Sequence, residues 1–340
     1  MRIFTKIFIQ PNRALPWAIV LLLLLEVALY TPAFWNLPAV QESRTGERVF
    51  DAANQRSSEP AVIAIGSSRF QKSIVPLVIE KELRLNKGSV ANLAFDAATP
   101  QDYLHLYKSQ RDYFSSADLL LIEVGEFHYN WSAIADEAAG NIRFRRLASL
   151  TDRMSTPNVN DKIDYTLGSF IRIWDKRFVI RDILSSTIRD GIRLTVRPIE
   201  VDANGKVGLI GSDLIRVFET QEINQLRAFG FRNFEISEYQ INAMIQLVNL
   251  AKSDDLNVIL MSPPINEGFR KLVAENYASY DREWRDRIKA EFGQEIIEVE
   301  IVDSRCSDWR ECFYDYGHTN AVGAESYSLA LAGYLSTQIN

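Results

Sequence analysis

The sequence predicts an α/β fold, a three-layer sandwich in which helices cover both faces of a five-stranded, mainly parallel sheet. Two observations carry this. Short, almost continuous apolar runs recur at 61–65 (AVIAI), 90–95 (VANLAF), 119–124 (LLLIEV), 257–262 (NVILMS) and 297–303 (IEVEIVD), as parallel strands buried on both faces require. Between them lie helical segments with legible starts. Pro76 opens one, Thr99-Pro100 reads as an N-cap followed by proline at the first helical position, Ser237 caps another, and a last helix runs over 320–337. The 340 residues, 47% hydrophobic, suffice for one substantial domain with attachments. A net charge of −6 gives no support for nucleic acid as a partner.

Taking the chain in order, residues 1–14 carry Arg2, Lys6 and Arg13 and precede an apolar run over 15–37. Crossing the hydrocarbon core takes about 20 residues. The basic start places residues 1–14 in the cytoplasm, so the chain reads as a single-pass protein of the cytoplasmic membrane with its main domain on the periplasmic or extracytoplasmic side. Trp17 and Trp35 then fall near the two interfaces. A cleavable signal peptide is the competing reading, with "TPA" as its cleavage site. The length of the run favours an uncleaved anchor. Glu26 sits inside it and is either protonated, paired with another membrane protein, or tolerated near an end.

Residues 38–58 read as a polar linker to a domain over 59–340. Within that domain the segment at about 130–235 breaks the strand–helix rhythm and reads as a helical insertion. Residues 141–197 hold 12 Lys or Arg against 6 Asp or Glu. The stretch 170–188 within it is amphipathic, and suits packing on the domain, a membrane surface, a partner, or an anionic polymer. The only cysteines, Cys306 and Cys312, lie close together on the exported side, where a local disulfide is expected. Two sulfurs alone fall short of a tetrahedral metal set. Glu126 and His128 have no evident third ligand either, so neither a metal nor a cofactor is expected.

Only three histidines exist, which shortens the search for a general base. His105 lies inside a helical pattern and reads as a surface or packing residue, and His128 follows the third strand. His318 stands in the loop before the last helix, with Asp315 three residues earlier. That spacing lets the carboxylate turn back onto the imidazole and fix its tautomer. Ser68, in Gly66-Ser67-Ser68-Arg69 at the carboxyl end of the first strand, is where an open parallel sheet presents its reactive groups. The set Ser68, Asp315 and His318 therefore reads as a nucleophile with its base and orienting acid. A plain strand-to-helix turn and a helix-entry pair without chemistry are the bland alternatives.

The Gly-Ser-Ser block at 66–68 and Asp315-x-x-His318 resemble the first and last blocks of the SGNH/GDSL hydrolases. The likeness is greatest to membrane-anchored, exported members that act on cell-envelope polymers, among them the teichoic-acid D-alanylation partner protein. It covers about 60–130 and 240–337. The resemblance implies a flavodoxin-like sandwich, Ser68 as nucleophile and oxyanion donor through its N–H, His318 as base and Asp315 as its orienting acid. It implies further oxyanion donors at Ala97, where the family has glycine, and at Asn130 or His128. The third block, Gly125 to Asn130, departs from the family pattern.

The expected function is an exported serine esterase or O-acyltransferase acting on acyl, most simply acetyl, esters of a cell-envelope or exported polysaccharide. A membrane-bound O-acyltransferase is the partner implied. The competing expectation is a catalytically weak glycan-binding or assembly component with the same fold.

Overall fold

The computed structural model describes residues 11–36, 45–56, 59–96, 98–129, 236–315 and 317–338, with single positions between 163 and 208. The chain divides into two compact units, one of residues 1–44 and 148–197, the other of 45–147 and 198–340.

The second unit holds a five-stranded sheet, and also a two-stranded antiparallel pair, Glu200–Val201 with Val207–Gly208, so the 130–235 insertion is not helical throughout. The strands of the five-stranded sheet are β1 (Val62–Ile65), β2 (Val90–Asn92), β3 (Leu119–Glu123), β4 (Asn257–Ser262) and β5 (Ile297–Glu298). They lie in the order β2-β1-β3-β4-β5, every pair parallel. This 2-1-3-4-5 order is the flavodoxin-like one, and it places reactive groups beyond the carboxyl ends of the strands. The pleat sends alternate residues of β1 and β3 into different cores. Ile63, Ile65, Leu120 and Ile122 pack with helices on one face. Val62, Ala64, Leu119 and Leu121 pack with helices on the other. Both sides being dry is why these strands are apolar up to Glu123, the last residue of β3.

The helices are α1 (Thr45–Asn54), α2 (Ser68–Ser73), α3 (Pro76–Glu82), α4 (Pro100–Ser109), α5 (Arg111–Phe114), α6 (Glu238–Ser253), α7 (Glu267–Asn276), α8 (Ala278–Phe292) and α9 (Ala321–Leu335). The starts at Pro76, Thr99-Pro100 and Ser237 stand as expected. Asp102 accepts from both Thr99 N and Thr99 Oγ1, and Ser237 Oγ accepts from Gln240 N.

Three boundaries differ from the sequence reading. Residues 45–54 are not linker but α1, whose Val49, Phe50, Ala52 and Ala53 are buried in the core. The stretch at 90–95 is strand only to Asn92, although Leu93 N and Phe95 N continue to donate to Ala64 O and Gly66 O. The stretch at 297–303 is strand only over Ile297–Glu298, because this edge strand has a neighbour on one side and pairs only with Met261 and Ser262. Past it Val302 is 88% exposed.

In the first unit the apolar run is not one helix. A helix over Pro11–Ala28 turns at 29–31, and a short helix follows over Pro32–Trp35. Pro32 lacks the N–H that continuation would need. Leu15, Trp17, Leu21, Leu23 and Val27 project outwards, exposed. Glu26 Oε2 accepts from Ile173 N at 2.8 Å, an in-chain partner that none of the sequence readings contained. Among the described residues, no helix is long and apolar enough to cross a membrane. The amphipathic stretch 170–188 and the rest of the 130–235 insertion lie almost entirely outside the described residues.

Candidate active site

The nucleophile turn begins where β1 ends. Gly66 leaves the strand, Ser67 takes the extended conformation of an N-cap, and Ser68 is the first residue of α2. Its backbone N–H belongs to the first turn, where a helix leaves its donors without internal acceptors. The far end of α2 is pinned in two ways. Asn92 Nδ2 donates to Phe70 O and Ile74 O at 3.1 Å each. Ser328 Oγ, from α9, donates to Ser73 O at 3.1 Å.

The aspartate and histidine come from a short loop closed on itself. Phe313 and Thr319 form an antiparallel bridge, and Tyr314 N donates to His318 O at 2.9 Å. At the tip, Gly317 N and His318 N both donate to Asp315 Oδ1 at 2.9 Å. Two neighbours hold the loop. The Cys306–Cys312 disulfide, with Cα atoms 5.4 Å apart, is formed as expected and anchors its upstream end. Asn266 caps α7 by accepting from Phe269 N and donates through Nδ2 to Asp315 O at 3.1 Å.

These two loops, 250 residues apart in sequence, bring the three expected residues together. Ser68 Oγ lies 2.7 Å from His318 Nε2, and His318 Nδ1 lies 2.8 Å from Asp315 Oδ2. Burial works against the Asp315 charge, but the hydrogen bonds and charge of His318 and the two backbone N–H donors outweigh it, so its pKa falls below the ordinary carboxylate value. Asp315 is therefore an acceptor only. Nδ1 must carry the proton and donate to it, which leaves Nε2 to accept from the Ser68 hydroxyl. This is the arrangement in which an imidazole can remove the serine proton.

The other expected residues fare differently. Ala97 and Asn130 lie outside the described residues. His128 is buried with its Nε2 directed at Tyr103 OH, 3.0 Å away, and towards Glu123 Oε1 at 3.6 Å. Burial above all, and then the Arg69 guanidinium, push its pKa down to about 3 against a smaller upward pull from Glu126. The Tyr103 hydroxyl is held protonated by burial and then by the Glu123 charge, and it also donates to Ala98 O at 3.4 Å. His105 is buried in α4 beside Gln101, a packing residue. No group of three or more metal-ligating side chains occurs among the described residues. Phe127, in the third block, stacks on Phe269 with ring centroids 5.7 Å apart.

Sequence reading missed Glu123. It ends β3 fully buried, accepting from Ser67 N at 2.6 Å and Ser67 Oγ at 2.8 Å. Gly66 makes room for it, since a Cβ there would stand 2.5 Å from Glu123 Oε2. The available signal was a carboxylate inside the apolar run LLLIEV, where no water can reach it. The sequence matches no protein-family model and no curated protein.

Proposed function

We propose that this chain is a membrane-anchored, SGNH-like serine esterase or O-acyltransferase acting on acyl esters of an exported polysaccharide. The observation that carries the reading is the Ser68–His318–Asp315 chain of hydrogen bonds at 2.7 and 2.8 Å beyond the carboxyl ends of a parallel sheet. Ser68 Oγ attacks the acyl carbonyl carbon while His318 Nε2 takes its proton, and Asp315 stabilises the imidazolium. The Ser68 N–H faces the developing oxyanion. Collapse expels the alcohol, which receives the proton from His318, and leaves an acyl-serine. Water or a sugar hydroxyl then attacks the acyl carbon, giving its proton to His318, and collapse releases Ser68, whose oxygen takes that proton from His318.

The exposed leucines of the helix over Pro11–Ala28, in an apolar run that continues to residue 37, support an anchor in the cytoplasmic membrane with the sheet domain outside. The disulfide agrees with an oxidising compartment. The basic insertion and the anchor favour an envelope polymer as acyl acceptor, with a membrane-bound O-acyltransferase as partner.

One observation favours the second reading, a glycan-binding or assembly component. Two residues after Gly125 stands Phe127, packed on Phe269, and its side chain has no polar atom to offer an oxyanion. The test uses the full-length chain in detergent micelles with a fluorophosphonate probe and an aryl acetate. Labelling and turnover that fall by about 10⁴-fold or more in Ser68→Ala establish the nucleophile. A folded wild-type chain that neither labels nor turns over supports the second reading.

A further inference from the structure

We propose that Arg69 is a positioning residue, a buried latch that joins the nucleophile turn to the β3 loop and the histidine loop. The assignment of its catalytic effect rests on the serine chemistry proposed above.

Arg69 follows the nucleophile directly, yet it is only 4% exposed. Its Nε faces Glu123 Oε1 at 3.3 Å, and its Nη1 donates to Glu126 Oε1 at 2.6 Å. Its guanidinium lies over the Phe127 ring, 5.1 Å from the centroid. Two glycines give way to it. A Cβ on Gly125 would stand 2.5 Å from Arg69 Nη2, and one on Gly317 would stand 3.1 Å from Arg69 Cδ. Gly317 adjoins His318. From the first turn of α2, one side chain thus holds the loop after β3 and leaves little room for a side chain on Gly317, in the loop bearing Asp315 and His318.

The energetics argue for a purpose beyond stability. Two carboxylates and a guanidinium have been taken out of water, and apolar residues of similar volume often hold a core as well or better. A planar, forked cation between two fixed carboxylates does set direction. Glu123 holds Ser67 from below through the bonds already described. Arg69 fixes where Glu123 sits relative to Gly317. The 2.7 Å approach of Ser68 to His318 therefore depends on the latch as well as on the residues that make it.

The experiment compares full-length wild type with Arg69→Met, Arg69→Lys, Glu126→Gln and the double variant Arg69→Met/Glu126→Gln. Three quantities are read: the fluorophosphonate labelling rate, thermal stability, and backbone amide exchange in peptides covering 66–70 and 315–319. In Arg69→Met, labelling should slow by about 10- to 100-fold, since small misplacements of a reacting pair cost that much. Exchange should quicken in both peptides. Arg69→Lys should recover part of each. Removing the orphaned Glu126 charge in the double variant should restore part of the stability, Glu123 still lacking its cation, but not labelling.

A double variant that regains labelling along with that part of the stability would show that Arg69 only satisfies buried charge, and would overturn the proposal. So would Arg69→Met labelling at the wild-type rate. A wild type that does not label would instead refute the serine chemistry. In that case exchange still decides the latch: unchanged protection at 315–319 in Arg69→Met rejects it, and loss of protection supports it.

Discussion

Two histidines stand close to the carboxyl end of the same strand set, each near a carboxylate, and their surroundings are opposite. His318 is partly exposed, 19% by its side chain, with Asp315 on Nδ1 and the Ser68 hydroxyl on Nε2. His128 is 3% exposed, takes the Tyr103 hydroxyl on Nε2, and has no hydrogen-bond partner on Nδ1 among the described residues. The first can accept a proton and have the charge stabilised at once. The second is held neutral by the absence of water and by the Arg69 charge. Proximity to a carboxylate therefore does not make a base. Orientation of the carboxylate onto the ring, and access to solvent, do.

That contrast can be broken most sharply at Asp315. Asp315→Asn should lower turnover and labelling by about 10²- to 10⁴-fold with the fold intact, because the amide no longer imposes the tautomer that leaves Nε2 free to accept. His128→Gln should leave labelling close to wild type. Equal losses in the two variants would erase the distinction.

The next effect tests how tightly the buried side is closed. Gly66→Ala places a methyl 2.5 Å from Glu123 Oε2 and 2.7 Å from Phe70 Cβ. A destabilisation at the upper end of the roughly 1–3 kcal/mol typical of overpacking is expected in urea unfolding. An unchanged midpoint would mean that the turn yields more readily than its bonds to Glu123 imply.

The open side depends on its staple. Removing the disulfide with Cys306→Ser and Cys312→Ser should cost about 2 kcal/mol, the loop-closure value for so short a ring. A further drop in labelling rate is expected, since Cys312 O accepts from Asn320 N just beyond His318. Full stability with full labelling would show that the bridge at Phe313 and Thr319 holds the loop unaided.

The last effect is read as a slope against pH, and near neutral pH it is absent. His128 has a folded pKa of about 3 against 6.5 for the free side chain. Its folded form binds a proton less readily than its unfolded form, so its contribution is whole above pH 6.5 and declines as the pH falls from 6.5 towards about 3. His128→Gln should flatten the fall in melting temperature across that window. Parallel curves for variant and wild type would mean that His128 is not neutral when folded.

Much of this molecule was legible from its residues. Uninterrupted apolar runs such as Val62–Ile65 and Leu119–Ile122 have no polar face to turn to water, so they announce a sheet covered on both sides. Gly66-Ser67-Ser68 and Asp315-x-x-His318 are local patterns, and so is the cysteine pair. The edges were less legible, because the end of β5 is decided by where Met261 and Ser262 stop offering partners. The 38–58 stretch misled for a related reason: its composition is polar, while Val49 and Phe50 are buried only because a core stands beside them.

By itself, the sequence determined the fold class, the chain order of serine, aspartate and histidine, and the thiols available to pair. Each follows from local chemistry or from alternation over a few residues. Only the tertiary structure decided that Glu123, Arg69 and Glu126 meet beneath the nucleophile, that His128 rather than His318 is the closed histidine, and that Gly66, Gly125 and Gly317 are empty for the sake of neighbours far off in sequence. Those outcomes depend on which side chains share a space without water. Nothing in a short window of sequence specifies that.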